Sequence, residues 1–162
     1  MWHTHQKRLK PLEKLTKTAM ADVFTPEKRS QLMSRIRSKG NISTEIAFIN
    51  LLRKHKITGW RRNSKLPGKP DFVFLKTKLA IFVDGDFWHG HPKRSNPPGT
   101  NTEFWLAKIA GNRRRDRRVS RELASMGWAV LRIWESSLAK QPARTFLRVS
   151  KKIEECRTLP KS

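Results

Sequence analysis

Apolar positions along the chain recur at helical spacing up to Leu52, contract into two short runs between Phe72 and Val83, and return to helical spacing from Phe104. Organised structure is predicted to begin at Thr25-Pro26, an N-cap residue followed by the residue best tolerated in a first helical turn. Leu32, Met33 and Ile36 follow on one face, and Gly40 ends that helix. Asn41 and Ser43 offer caps for a second helix with Ile46, Ala47, Ile49, Leu51 and Leu52 as its apolar face. Glu45 falls in its first turn, and Lys54 to Lys56 give it a basic end that complements the helix dipole.

Beyond Trp60 the period changes. Leu66-Pro67-Gly68-Lys69-Pro70 is turn chemistry, and Asp71-Phe72-Val73-Phe74-Leu75 is a short β-rich run. After the polar link Lys76-Thr77-Lys78, the run Leu79-Ala80-Ile81-Phe82-Val83 stops at Asp84-Gly85, so the two runs are predicted to pair as antiparallel strands. The Pro- and Gly-containing stretch from Gly90 to Thr102 reads as a surface loop. A long helix is expected next, its apolar positions Phe104, Trp105, Ala107, Ile109, Val119, Leu123 and Met126 interrupted by Gly111 and the dense Arg113 to Arg118 segment, with a stop at Gly127. Trp128 to Trp134 alternates like a buried strand, and Ser136 to Cys156 is expected to be one terminal helix disturbed by Pro142. With one more strand near Trp60, this order predicts a single α/β domain, a small mixed sheet flanked by helices. The division expected is a basic flexible arm over residues 1–20, the functional domain over 21–140, and a C-terminal helix and tail over 141–162.

Charge narrows the partner. The chain carries 36 Lys and Arg against 13 Asp and Glu, a formal charge of +23, which points to a polyanion and first to nucleic acid. No apolar run approaches the roughly 20 residues needed to span a bilayer, and no lipidation signal or amphipathic basic anchor is visible, so no membrane partner is expected. Cys156 is the only cysteine, which excludes an intramolecular disulfide and a cysteine-rich zinc site and fits a reducing, cytoplasmic setting.

In so basic a chain the acids stand out. Asp71 opens one strand and Asp84 ends the next, and a connection this short brings the two carboxylates near each other. Oxygen ligands of this kind suit Mg²⁺, which assists phosphodiester hydrolysis by neutralising charge and activating water. His89, five residues beyond Asp84, is placed to accept the proton of that water. Phe87-Trp88 either turn inward as core or wedge between base pairs, which is easiest where pairing is imperfect. Arg113, Arg114, Arg115, Arg117 and Arg118 are expected to contact phosphates, with Lys69 beside Asp71 in the same role; Asp116 within the run either orients His89 or pairs with its neighbours.

The segments TPEKRSQLMSRIRSKG, STEIAFINLL, LPGKPDFVF, IFVDGDFWHGH, TEFWLAKIAGNRRRDRR and GWAVLRIWE resemble, in order, those of the very short patch repair endonucleases, a restriction-endonuclease-like branch of the PD-(D/E)xK nuclease fold. The resemblance implies an enzyme that uses Mg²⁺ to nick one strand of double-stranded DNA beside a T:G mismatch. It also implies a bacterial, nucleoid-associated setting with repair accessory proteins and a cytosine methyltransferase system as partners. By the same resemblance, Asp71 is the principal metal ligand with the carbonyl of Val83 beside it, and His89 activates water. Glu45 and Asp116 match supporting acids, Phe87 and Trp88 the aromatic wedge, and Met33 a residue entering the stack from the other groove. Two positions depart from the family pattern. Asp84 stands where histidine is usual, which moves its expected role toward direct metal binding. Asp86, Lys93 and Ser136 stand where zinc-binding cysteines are expected, leaving His91 of that set, so no structural zinc is expected. Two alternatives are a non-catalytic basic DNA-binding protein and a restriction-like endonuclease of different recognition context.

Overall fold

The computed structural model describes residues 44–95, 97, 99 and 101–158. The arm over residues 1–20, the first predicted helix with Met33, and the caps Asn41 and Ser43 lie outside the described residues.

Helix α1 is described over residues 44–54. The strands β1 (Trp60–Arg61), β2 (Phe72–Phe74) and β3 (Leu79–Asp84) follow, then α2 (Thr102–Ser125), β4 (Ala129–Trp134), α3 (Glu135–Lys140) and α4 (Pro142–Thr158). They form one four-stranded sheet in the order β1-β2-β3-β4. The β1-β2 and β2-β3 pairs are antiparallel, and the second has Phe72 opposite Ile81. Helix α2 supplies the crossover that lets β4 run parallel to β3, with Phe82 opposite Arg132 and Asp84 opposite Trp134. The predicted mixed sheet flanked by helices is the observed fold.

Strand alternation sorts the side chains onto two faces. Phe72, Phe74, Leu79, Ile81, Leu131 and Ile133 face one way, where Phe48, Leu51 and Leu52 of α1, Leu138 of α3, and Val149, Ile153 and Cys156 of α4 cover them. Val73, Ala80 and Phe82 face the other way, under Val119 and Leu123 of α2. Helix α4, which the sequence pattern set apart as a C-terminal helix and tail, thus contributes to the larger core.

Helix α2 runs unbroken for 24 residues, and the expected gap in its apolar positions falls between the buried Ile109 and Val119. Two local expectations change. The terminal helix is two helices, because Pro142 starts α4 rather than disturbing it. Proline disfavours helical backbone in the residue before it, and Gln141 sits at φ −138° and ψ 56° between the two. Finally, β2 begins at Phe72, so Asp71 lies just ahead of the strand.

Candidate active site

The parity that puts Val73, Ala80 and Phe82 under α2 carries Asp84 and Arg132 to the same side, at the end of the sheet where the apolar contact runs out. Two glycines let the neighbouring loops reach that end. Gly68 has φ 73°, and a Cβ there would lie 2.4 Å from Val119 Cγ1, so only glycine lets the Pro67–Pro70 turn press against α2 and deliver Asp71. Gly90 has φ 68°, and its Cβ would meet Ile109 Cγ2 at 2.7 Å, which fixes the loop carrying His89 on the preceding turns of the same helix. Asn112 adds a polar tie, its Nδ2 donating to the Trp88 carbonyl at 2.8 Å.

The charged side chains then interlock. The Val83 N–H donates to Asp71 Oδ2 at 2.7 Å, joining the turn to β3. His89 Nδ1 lies 2.6 Å from Asp116 Oδ2 and 3.7 Å from Asp84 Oδ1. A carboxylate only accepts hydrogen bonds, so Nδ1 is the protonated nitrogen and a neutral His89 carries its free lone pair on Nε2. Arg132 Nη1 donates to Asp84 Oδ1 at 2.8 Å and to Oδ2 at 2.9 Å, while Nη2 lies 3.2 Å from Asp116 Oδ1. Its guanidinium also sits 4.5 Å above the Phe82 ring, and Asp84 is only 5% exposed.

Burial pushes the Asp71 carboxyl above its ordinary value; the Val83 N–H opposes the rise, the negative charge of Asp84 adds to it, and His89 opposes it less. A half-buried acid made costly to ionise, with a second acid beside it, is a donor set that a divalent cation relieves. Among the described residues, however, no group of three or more His, Cys, Asp or Glu side chains is placed to hold a metal. Mg²⁺ is commonly held by one or two carboxylates that share the ion with waters and phosphate oxygens, a mode that needs no such group. Asp84, expected as a second ligand, is paired with Arg132.

Other expected residues gather more loosely. Glu45 is ion-paired with Arg62, and it lines a cleft of about 460 Å³ with Asn63, Ser64, Lys65, Lys69, Pro70 and Asp71. Glu45 and Lys69 therefore share a cavity with Asp71. The arginine run divides: Arg114, Arg115, Arg117 and Arg118 line one groove along the exposed side of α2, whereas the Arg113 side chain lies against Gly90. Phe87 and Trp88 are half-buried and pack edge-on to each other and to Trp105, with centroids 5.0 to 6.0 Å apart. His91 stands edge-on to Trp134 at 4.8 Å, and its Nδ1 accepts from the Lys93 N–H.

Arg132 is the site residue that the sequence pattern passed over. A lone arginine inside the apolar alternation of Trp128 to Trp134 was the available signal, because a charge on a covered strand face needs an acid opposite it. Among the described residues, no helix is long and apolar enough to cross a membrane.

Residues 21–95 match the family of the DNA mismatch endonuclease Vsr. A type II nicking enzyme of Neisseria meningitidis serogroup C is 41% identical over 121 residues, covering 74% of this chain and 81% of the relative. A second, from Xanthomonas oryzae, is 42% identical over 124 residues, with 74% of this chain and 88% of that relative covered. The DNA mismatch endonuclease Vsr of Escherichia coli is 36% identical over 137 residues, with 84% and 87% covered. Similarity of this extent takes in the Asp71 turn, the His89 loop and the helix that braces both, and it places the chain in the Vsr family of DNA mismatch endonucleases.

Proposed function

We propose that this protein is a Mg²⁺-dependent endonuclease that nicks one strand of double-stranded DNA beside a T:G mismatch. The observation that carries the reading is the convergence of Asp71, strained by burial and by Asp84, with a His89 ring held by Asp116. A protein that only bound DNA would gain nothing from costly acids beside the phosphates, where negative charge repels the ligand.

In this reading Asp71 and the Val83 carbonyl would hold the metal, with Asp84 paired to Arg132. Mg²⁺ would supply charge neutralisation at the phosphate and acidify the attacking water. His89 accepts the proton of the attacking water at Nε2, since Nδ1 is committed to Asp116. Asp116 keeps the ring from turning and compensates the imidazolium that forms. Glu45 lines the same cleft as Asp71, and Lys69 in that cleft and the α2 arginines engage the DNA backbone. Phe87 and Trp88 read the mismatch by wedging into the weakened step, with Met33 approaching from the other groove. The relatives named as type II nicking enzymes fit the same one-strand reaction and leave sequence context as the variable. The biological setting on this reading is repair beside a cytosine methyltransferase, whose product deaminates to give T:G.

The test is a nicking assay on matched and T:G duplexes with Mg²⁺, with EDTA, and with Asp71→Ala. One-strand cleavage of the T:G duplex, abolished by EDTA and by the substitution, is expected. If Asp71→Ala nicks as fast as wild type, the site is misplaced; if matched duplex is nicked equally, the reaction stands and the substrate does not.

A further inference from the structure

Arg132 is a costly residue to place in a strand. Its side chain is three-quarters covered, its Nε is buried without a hydrogen-bond partner among the described residues, and two acids share the rest of its fork. Buried ion pairs of this kind are weak sources of stability, since desolvation offsets most of the attraction. The geometry itself is specific: one nitrogen takes both oxygens of Asp84 on β3, and the other takes the Asp116 oxygen that His89 does not use. Asp116 is thereby gripped on both sides, by a guanidinium at Oδ1 and by an imidazole at Oδ2.

The apolar layer explains why such a grip is needed. Helix α2 is packed on the sheet through Val119 and Leu123, while Asp116 lies one turn earlier, where Ala80 and Phe82 give way to Asp84. No buried apolar side chain of α2 lies between Ile109 and Val119. Across that gap, Arg132 and the Asn112 bond to the Trp88 carbonyl tie the helix to the strands and to the His89 loop. A lysine in place of Arg132 is a single point donor and cannot bridge two acids with a fixed planar fork.

Taking the nuclease reading above as its basis, we infer that Arg132 is a positioning residue of the active site, which clamps Asp84 to Asp116 and so fixes the His89 ring with its proton on Nδ1 and its Nε2 facing the water. Asp84 is thus the second jaw of a clamp, and the Asp84–Arg132 pair is a matched unit of this chain.

The experiment uses the full chain with Mg²⁺ and a T:G duplex, comparing wild type with Arg132→Lys and Arg132→Gln, and reads ¹⁵N NMR of the histidine ring beside kinetics. Arg132→Gln is expected to lower kcat by about 10- to 100-fold, the scale seen when a partner that orients a site ligand is lost, with KM for DNA unchanged. Its His89 should change from the Nδ1-protonated tautomer to a mixture. Arg132→Lys is expected to recover only part of the loss; full recovery would mean that charge suffices and the fork is irrelevant. A raised KM with unchanged kcat would make Arg132 a phosphate contact and overturn the proposal, as would a wild-type tautomer and kcat in Arg132→Gln. Should Arg132→Gln fail to fold, Asp84→Asn/Arg132→Gln removes both charges together, and a wild-type His89 tautomer there overturns the clamp. Absence of nicking by wild type would sink the reading of the reaction, while the tautomer measurement would still judge Arg132.

Discussion

The two faces of the sheet are built on different physics. On the face covered by α1, α3 and α4, six strand residues meet seven helix residues in one continuous apolar layer, with Phe72, Leu79 and Ile81 fully buried. On the α2 face the buried layer is smaller, Val73, Ala80 and Phe82 against Val119 and Leu123 with Leu66, Trp128 and Val130 partly buried around them, and beyond it the contact is carried by Asp84, Asp116, His89 and Arg132. Close packing of the first kind is where stability resides. A polar network in a half-covered site is held in place by that packing and is free to be strained, as Asp71 is. The fold thus separates what holds the molecule together from the proposed reaction site.

Adjacent residues on opposite faces give the sharpest way to break this comparison. Phe72 is fully buried against Phe48 and Trp60, so Phe72→Ala is expected to cost about 3–5 kcal/mol and to lower the denaturant midpoint accordingly. Asp71→Ala should reduce cleavage by roughly a thousandfold or more, corresponding to the loss of several kcal/mol of charge stabilisation, without lowering the midpoint. Unfolding curves and single-turnover nicking of the two variants separate these effects. An Asp71→Ala protein as destabilised as Phe72→Ala would show that the division between faces is false.

The sequence made one face far more legible than the other. Apolar runs are a strong signal, and they located β2, β3 and β4; the face of α1 was read less well, since Phe48 is fully buried while Ile46, expected on that face, is exposed. Asp71 and His89 were visible as rare groups beside strand ends. The links among them were not, because spacing along a chain does not say which acid an arginine on another strand will meet. Arg132 and Asp84 are separated by 48 residues and joined only through parallel strand register. The His89–Asp116 bond spans 27 residues and exists because Gly68 and Gly90 let two loops settle on α2. Asp84 shows what spacing leaves out: it placed an acid at a strand end, and the arginine that pairs with it came into view only with the sheet.

A milder substitution at Asp71 tests whether its strain is real. Its raised pKa means that the folded state binds this proton more tightly than the unfolded chain does. The associated stability is fully present below the unfolded carboxylate pKa of about 3.9 and is lost as pH rises through the higher folded value. At neutral pH and without metal, Asp71→Asn should therefore melt above wild type, since its side-chain oxygen still accepts from the Val83 N–H. The difference should vanish at acid pH, and Mg²⁺ should raise the melting temperature of wild type alone. Calorimetry across pH measures this directly; an Asn variant less stable than wild type at neutral pH would mean that Asp71 is structural.

The smallest expected effects distinguish reading of the DNA from holding it. Trp88 is half-buried against Phe87 and Trp105, so Trp88→Ala loses some packing, but the decisive quantity is the ratio of T:G to matched cleavage. An unstacked step costs a few kcal/mol, and a wedge realises its advantage only where that cost is already reduced, so the ratio should fall by about tenfold with general affinity little changed. Arg118→Ala should do the opposite. Its side chain lines the exposed groove of α2 with several other arginines, so one phosphate contact among many is removed. Binding to matched and mismatched duplexes should weaken equally, and the slope of log affinity against log salt should drop by about one. Titrations at several salt concentrations on both duplexes provide the measurement. If Arg118→Ala changes the T:G preference rather than the slope, the arginine groove takes part in recognition, and reading cannot be assigned to the aromatics alone.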